Sequence, residues 1–266
     1  MCAQIMGILN VTPDSFFDGG QFLDNESAYQ QAKKLLHEGA DIIDIGGEST
    51  RPGAKPVSCE EEITRIVNVV SRLSKEISNP ISVDTTKSKV ASLAIKAGAS
   101  IINDVSGFIQ DDQMIPLLRD CPHVKMVVMH SRGTPENMSS LSHYDDVTAE
   151  VIDELQKRVE FIVSNGISAN RLIIDPGFGF AKNHEQNTQL LNNIAEFKKL
   201  GIPILAGVSR KSFLGHIAKS GSPKDRLPIT LAAHFWLFIN NIDILRVHDV
   251  KETKQVLDLY RVLHQN

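Results

Sequence analysis

Eight short apolar, β-rich runs recur along the chain, each followed by a longer stretch with helical periodicity. This alternation limits the fold more than any other feature. The runs occupy residues 4–10, 41–45, 80–84, 100–104, 124–129, 171–175, 203–208 and 242–247. Their apolar content is too continuous for a sheet wetted on one face. It suits strands covered on both faces, as in a parallel sheet under helices. Asn25 precedes a helix with Ala28, Ala32, Leu35 and Leu36 on one face, ended by Gly39. Ser58-Cys59-Glu60-Glu61 reads as a capping box opening a helix with Ile63, Ile66, Val67 and Val70 apolar. Further helical patterns cover 89–97, 147–164, 186–200, 224–238 and 251–264. No linker or low-complexity tract interrupts the series, so residues 1–266 read as one domain, a (β/α)8 TIM barrel. The rival is a doubly wound open sheet, but the first run lacks the glycine-rich turn of a dinucleotide fold.

Nearly every run ends in a polar side chain: Asn10, Glu48, Asp84, Asn103, His130, Asp175, Ser209 with Lys211, and Arg246 with His248. A polar residue at one strand end means little. In a barrel all these ends meet at one mouth, where active sites lie, and convergence from almost every strand marks a site. Period-two alternation puts Arg246 and His248 on one face of the last run. A buried arginine needs an anionic partner, which leaves two readings. One is an internal salt bridge to Asp249 or Asp243. The other is a bound phosphate-type anion, with the Asn10 amide oxygen beside it to hold a Mg²⁺. The stretches after the first two runs, 11–20 and 46–56, are dense in Gly and Pro and carry Phe16, Phe17 and Arg51. They read as mobile lids rather than tight connections.

Composition excludes other classes. With 28 Lys and Arg against 32 Asp and Glu, the net charge of −4 leaves no electrostatic footprint for nucleic acid or an anionic membrane. Three cysteines, Cys2, Cys59 and Cys121, show no metal-ligand spacing and read as free thiols of a reducing compartment. The start has no signal-peptide pattern, and the most apolar segment is about half a bilayer span. A cytoplasmic location is expected.

Several segments together resemble a known family: Asn10-Val11-Thr12-Pro13-Asp14-Ser15-Phe16, Gly46-Gly47-Glu48-Ser49-Thr50-Arg51-Pro52-Gly53, Asp175-Pro176-Gly177-Phe178-Gly179-Phe180, Ser209-Arg210-Lys211-Ser212 and Arg246-Val247-His248-Asp249. They are similar, in order and over nearly the whole chain, to dihydropteroate synthase. The resemblance implies a (β/α)8 barrel that joins p-aminobenzoate to (7,8-dihydropterin-6-yl)methyl diphosphate, releasing pyrophosphate through a pterin-methyl cation. By the same resemblance Asp84, Asn103, Asp175, Lys211 and Arg246 form the pterin pocket, with Asp84, Lys211 and Arg246 catalytic. Asn10, Thr50, Arg51, Arg246 and His248 hold the diphosphate, and Asn10 also holds Mg²⁺. Phe16, Thr50, Arg51, Pro52, Phe180, Ser209 and Lys211 take p-aminobenzoate. A homodimer is implied as well.

Phe17, Pro228 and Asn240-Asn241 depart from the usual family pattern, the last three near the face the family uses to dimerise. Two alternatives stay open on sequence. A methyltetrahydrofolate–corrinoid methyltransferase-like domain would share the barrel but would not need the Ser49-Thr50-Arg51-Pro52 loop. A catalytically silent pterin-binding paralogue would not need Asn10, Arg246 and His248 intact.

Overall fold

A computed structural model describes residues 3–12, 21–50, 54 and 56–264, with the backbone alone at 21–24. Its eight strands are β1 (Gln4–Asn10), β2 (Ile42–Gly46), β3 (Ile81–Asp84), β4 (Ile101–Asp104), β5 (Lys125–Met129), β6 (Leu172–Asp175), β7 (Leu205–Ala206) and β8 (Ile244–Val247). They form one parallel sheet in the order β6-β5-β4-β3-β2-β1-β8-β7. A parallel bridge between Ile174 and Ile204 brings the two ends together, so the sheet closes as a (β/α)8 barrel. The helices are α1 (Gln21–His37), α2 (Cys59–Leu73), α3 (Ser88–Ala97), α4 (Met114–Arg119), α5 (Val147–Ser164), α6 (His184–Asn192), α7 (Ser212–Ile217), α8 (Leu227–Ile239) and α9 (Val250–Leu263). None is long and apolar enough to cross a membrane.

The barrel interior is layered, and the layering sets the site. At the bottom, Met6, Ile42, Ile101, Val127, Ile173, Leu205 and Ile244 form a buried apolar plug. Strand side chains alternate, so the next inward residue lies two positions further on. Counting two from Ile42, Ile101, Ile173 and Ile244 reaches Asp44, Asn103, Asp175 and Arg246. Two more reach Gly46 on β2 and His248 just past β8. Register then aligns Asp44 with Ser82 and Gly46 with Asp84. Below that level the barrel is hydrocarbon, and above it the inward strand positions are polar except Ile8, Gly46 and Met129.

Several element boundaries differ from expectation. Helix α1 begins at Gln21, so Asn25 lies inside it and does not cap it. Ser58 does cap α2, accepting from the Glu61 N–H, but the Glu61 carboxylate pairs with Arg65 instead of returning to complete a capping box. A complete box instead opens α6, where Asn183 and Gln186 satisfy each other's backbone. The expected 186–200 helix is therefore α6 followed by a 3₁₀ segment, Ile194–Leu200. The expected 224–238 helix likewise divides into a 3₁₀ turn, Pro223–Arg226, and α8, with Pro228 tolerated in its first turn. Strand β7 spans only two residues of the expected 203–208, and Pro203 at the start of that run has no N–H for a ladder.

Candidate active site

Arg246 ties the mouth together. Its Nε donates to Asp44 Oδ2 at 2.6 Å and its Nη2 to Asp84 Oδ2 at 2.8 Å. Asn103 Nδ2 donates to the same Asp44 oxygen at 3.2 Å. The expected internal partners Asp249 and Asp243 are not the ones used. Asp249 pairs with Arg210, and Asp243 accepts from the Ile204 N–H at 2.8 Å. Burial works against the Arg246 charge, but Asp44 and Asp84 hold its pKa above the ordinary arginine value. Two edges of the guanidinium are committed, which fixes its plane across the floor and leaves a flat cationic face for a ligand.

The adjoining β6–β7 side carries Asp175 and Lys211. Asp175 Oδ1 accepts from the Gly177 N–H at 2.8 Å, and burial raises its pKa despite that bond and Lys211. Lys211 Nζ donates to the Phe178 carbonyl and lies 4.6 Å from the Phe180 ring centroid. Burial pulls Lys211 down to about 8, against the attraction of Asp175. Gly177 has φ 69°, and a Cβ there would fall 1.9 Å from the His130 carbonyl oxygen, so only glycine lets the loop after β6 cross β5. Asp84 is raised by burial, with Arg246 opposing and Asp44 adding to the shift. With all five groups ionised, Asp44, Asp84 and Asp175 against Arg246 and Lys211 leave three minus two, one negative charge in excess.

At the β1–β8 side the His248 N–H donates to Ser209 Oγ at 3.2 Å, and His248 Nδ1 stands 3.0 Å from the same oxygen. Asn10 is half-buried at the end of β1, and Thr50 is half-buried where the described part of the second loop stops. Phe16, Phe17, Arg51 and Pro52 lie outside the described residues. Two expected mouth residues have other work. Glu48 accepts from the Val57 N–H at 2.9 Å and pairs with Lys87, which also meets buried Glu62, so it ties the two stems of the second loop. His130 turns to Glu154 and Lys182. Asp44 was not expected, although a charged residue inside an apolar run was its visible signal.

Fold and mouth define a single-domain barrel of the enzyme type, with its chemistry gathered at the C-terminal strand ends. The family described as pterin binding enzyme matches residues 6–248. Folic acid synthesis protein fol1 of Schizosaccharomyces pombe is 47% identical over 97% of this chain, which spans 36% of that longer protein. Dihydropteroate synthase of Bacillus subtilis is 44% identical over 93% of this chain and 84% of its own length. The Xanthomonas albilineans dihydropteroate synthase structure with 4-aminobenzoic acid superposes with a TM-score of 0.93 at 42% identity, covering 99% of this chain and 94% of that one. The chain belongs to the pterin-binding enzymes, and within them to the dihydropteroate synthase family.

Proposed function

We propose that this mouth joins (7,8-dihydropterin-6-yl)methyl diphosphate to p-aminobenzoate, giving 7,8-dihydropteroate and pyrophosphate for folate synthesis in the cytoplasm. The observation that carries the reading is the Arg246 plane clamped between Asp44 and Asp84, with Asp175 and Lys211 on the adjoining β6–β7 side. A pterin edge offers two adjacent N–H donors, which suit the Asp175 carboxylate, and a carbonyl, which suits Lys211. Asn103 lines the same pocket, and the ring stacks on the Arg246 face. Asn10, Thr50, Arg51, Arg246 and His248 take the diphosphate. Phe16, Thr50, Arg51, Pro52, Phe180, Ser209 and Lys211 take p-aminobenzoate.

The exocyclic C–O bond breaks first, and pyrophosphate leaves with the electron pair. The resulting cation is delocalised into the ring nitrogens and faced by Asp84. The amine nitrogen then bonds to the methylene carbon and loses a proton. No nucleophilic side chain is needed, and the residues act by orientation and charge. Mg²⁺ fits as a companion of the diphosphate. Asn10 would hold it by one amide oxygen, a hard oxygen ligand, with the remaining ligands supplied by the diphosphate and water. Bound there, it would neutralise charge on the leaving group. A homodimer is supported by the apolar surface of α8 and α9, where Phe235, Trp236, Leu259 and Val262 are exposed.

Mixing the protein, the pterin diphosphate, p-aminobenzoate and Mg²⁺ should release pyrophosphate and dihydropteroate in equal amounts. Absence of both products would leave a silent pterin binder. His248→Ala should weaken pyrophosphate binding by roughly tenfold in calorimetry, as for loss of one charge-assisted contact, and leave free pterin binding largely intact. Equal loss of both would remove His248 from the diphosphate subsite. Lys211 loses its proton as pH rises through about 8, so pterin affinity should fall above that value. Lys211→Met should bind weakly at neutral pH and lack that limb. If it keeps the limb, another group is titrating.

A further inference from the structure

Behind the Phe180 wall lies a buried polar cluster that the reaction above does not use. Lys182 is 8% exposed and His130 4%. Lys182 Nζ donates to the Gly177 carbonyl at 3.0 Å and to the Phe180 carbonyl at 2.9 Å, and it meets His130 Nδ1 at 2.9 Å. The other histidine nitrogen, Nε2, stands 2.9 Å from Glu154 Oε2. A carboxylate can only accept, so Nε2 carries a ring proton, and a neutral ring presents its Nδ1 lone pair to the lysine. An ammonium has three N–H groups, and here it finds three acceptors. Two proton placements satisfy every contact, Lys182 charged beside a neutral His130 and a neutral Lys182 beside a doubly protonated His130, and the first is assigned.

Charge and burial agree with that assignment. Burial, and then the Lys182 charge, push His130 down to about 4. Burial pulls Lys182 down to about 7, with Asp175 and Glu154 favouring its charge while Lys211 and Arg132 oppose it. The Glu154 carboxylate is held down to about 2, chiefly by its bond to His130, with Arg132 contributing. The proton the pair holds therefore rests on the lysine.

The turn after β6 is thus held from both sides. From behind, Lys182 gathers the carbonyls of Gly177 and Phe180 onto one point. From the front, Lys211 takes the Phe178 carbonyl. Asn187, 1% exposed, accepts from the Gly179 N–H at 2.6 Å and donates to the Lys182 carbonyl at 3.1 Å, closing the turn at its far end. Gly177, Gly179 and Ala181 all have positive φ, so the segment has little conformational preference of its own for this path. The path is imposed by the groups that grip it.

We propose that Lys182 and His130 are a positioning pair that fixes the 177–180 turn and thereby sets the Phe180 face of the p-aminobenzoate subsite. This rests on the reading of that subsite given above. Neither residue touches substrate. Their effect should appear most in binding of the second substrate and less in binding of the first, whose anchors Asp84, Asn103, Asp175 and Arg246 sit on strands and whose remaining anchor, Lys211, is held by its own contact with the Phe178 carbonyl.

The test compares steady-state KM values for the two substrates across four variants, with folding checked by circular dichroism. Lys182→Met keeps the length of the side chain and removes the donor. It should raise the p-aminobenzoate KM roughly 10- to 100-fold, the range for losing a charged buried donor, and the pterin diphosphate KM by less than about threefold. The histidine variants separate positioning from general support. The oxygen of a His130→Asn amide stands near the former Nδ1 and can still accept from Lys182, so its p-aminobenzoate KM should stay within about threefold. His130→Gln places its amide near Nε2 and loses Lys182, so it should approach the Lys182→Met value. Equal p-aminobenzoate KM values in the two histidine variants would overturn the proposal, even if Lys182→Met does not fold. An equal rise in both KM values for Lys182→Met would also overturn it. Phe180→Ala probes the underlying reading separately. An unchanged p-aminobenzoate KM there means that the subsite is misassigned. A raised one beside a normal Lys182→Met means that only the positioning pair is wrong.

Discussion

Arg246→Met is expected to lower kcat/KM by at least about 10³-fold, the largest effect of any single change in the mouth. The guanidinium is the shared partner of Asp44 and Asp84, so its removal does more than delete a ligand contact. Asp44 is fully buried, and its Oδ1 already has no hydrogen-bond partner among the described residues. Without the cation, both carboxylates are stranded in low dielectric. Breaking a buried pair by removing one partner costs about 3–5 kcal/mol, which the chain relieves by taking up protons. Asp84 then arrives at the reaction neutral, and the stacking face is gone as well. Adding Asp44→Asn to Arg246→Met should recover part of the lost thermal stability, because one stranded charge is removed, but none of the activity. Turnover within tenfold of the parent in Arg246→Met would remove the arginine from the mechanism. Arg246→Lys should recover little, because one ammonium cannot bridge two carboxylates while presenting a flat face.

The same clamp separates what a sequence discloses from what it withholds. All eight strands were legible to within about two residues, because parallel strands covered on both faces write themselves as continuous apolar runs. The site residues at their ends were legible for a related reason. A barrel gathers its strand ends, so a polar residue closing each run becomes a member of one cluster. The short helices α4 and α7 were not read, because six residues each give too little of a helical period, and Pro116 and Gly215 interrupt them. Asp44 was missed although it sits two positions above Ile42 in a strand otherwise buried and apolar, the same offset that leads from Ile244 to Arg246.

The partners themselves were out of reach. Arg246 meets Asp44 across 202 positions, and Lys182 meets His130 across 52. No local pattern carries such a pairing, so sequence left Arg246 with two readings, an internal ion pair and an anion ligand. Its ion pairs turn out to lie across the barrel, with Asp44 and Asp84, and not with the neighbouring Asp243 and Asp249.

Asp84→Asn should cut kcat by roughly 10² to 10³-fold while changing substrate binding little. The two side chains have the same shape, and the new amide oxygen can still accept from Arg246 Nη2, so the floor stays in place. What changes is charge. The ionised pocket holds one negative charge more than its two cations balance, and Asp84→Asn brings the sum to zero. A ground-state pterin is insensitive to that difference, whereas a cation forming on the exocyclic methylene is not. The loss therefore falls on the transition state, at about 2.7 kcal/mol for each hundredfold. The pH dependence gives an independent check. Burial raises the Asp84 pKa, so the carboxylate takes up a proton as pH falls through a range higher than an ordinary aspartate's. The reaction needs the ionised form, and the parent rate should fall on the acid side with that group. In stability the sign is opposite, because a raised folded pKa favours the folded state at low pH and loses that contribution as pH rises. Asp84→Asn should have a low rate without that acid limb. Single-turnover measurement of pyrophosphate release from pH 5 to 8 reads both effects. A variant that is slow but keeps the limb would assign the titration to another carboxylate, with Asp175 next in line, and near-parental turnover would show that the developing cation is stabilised elsewhere.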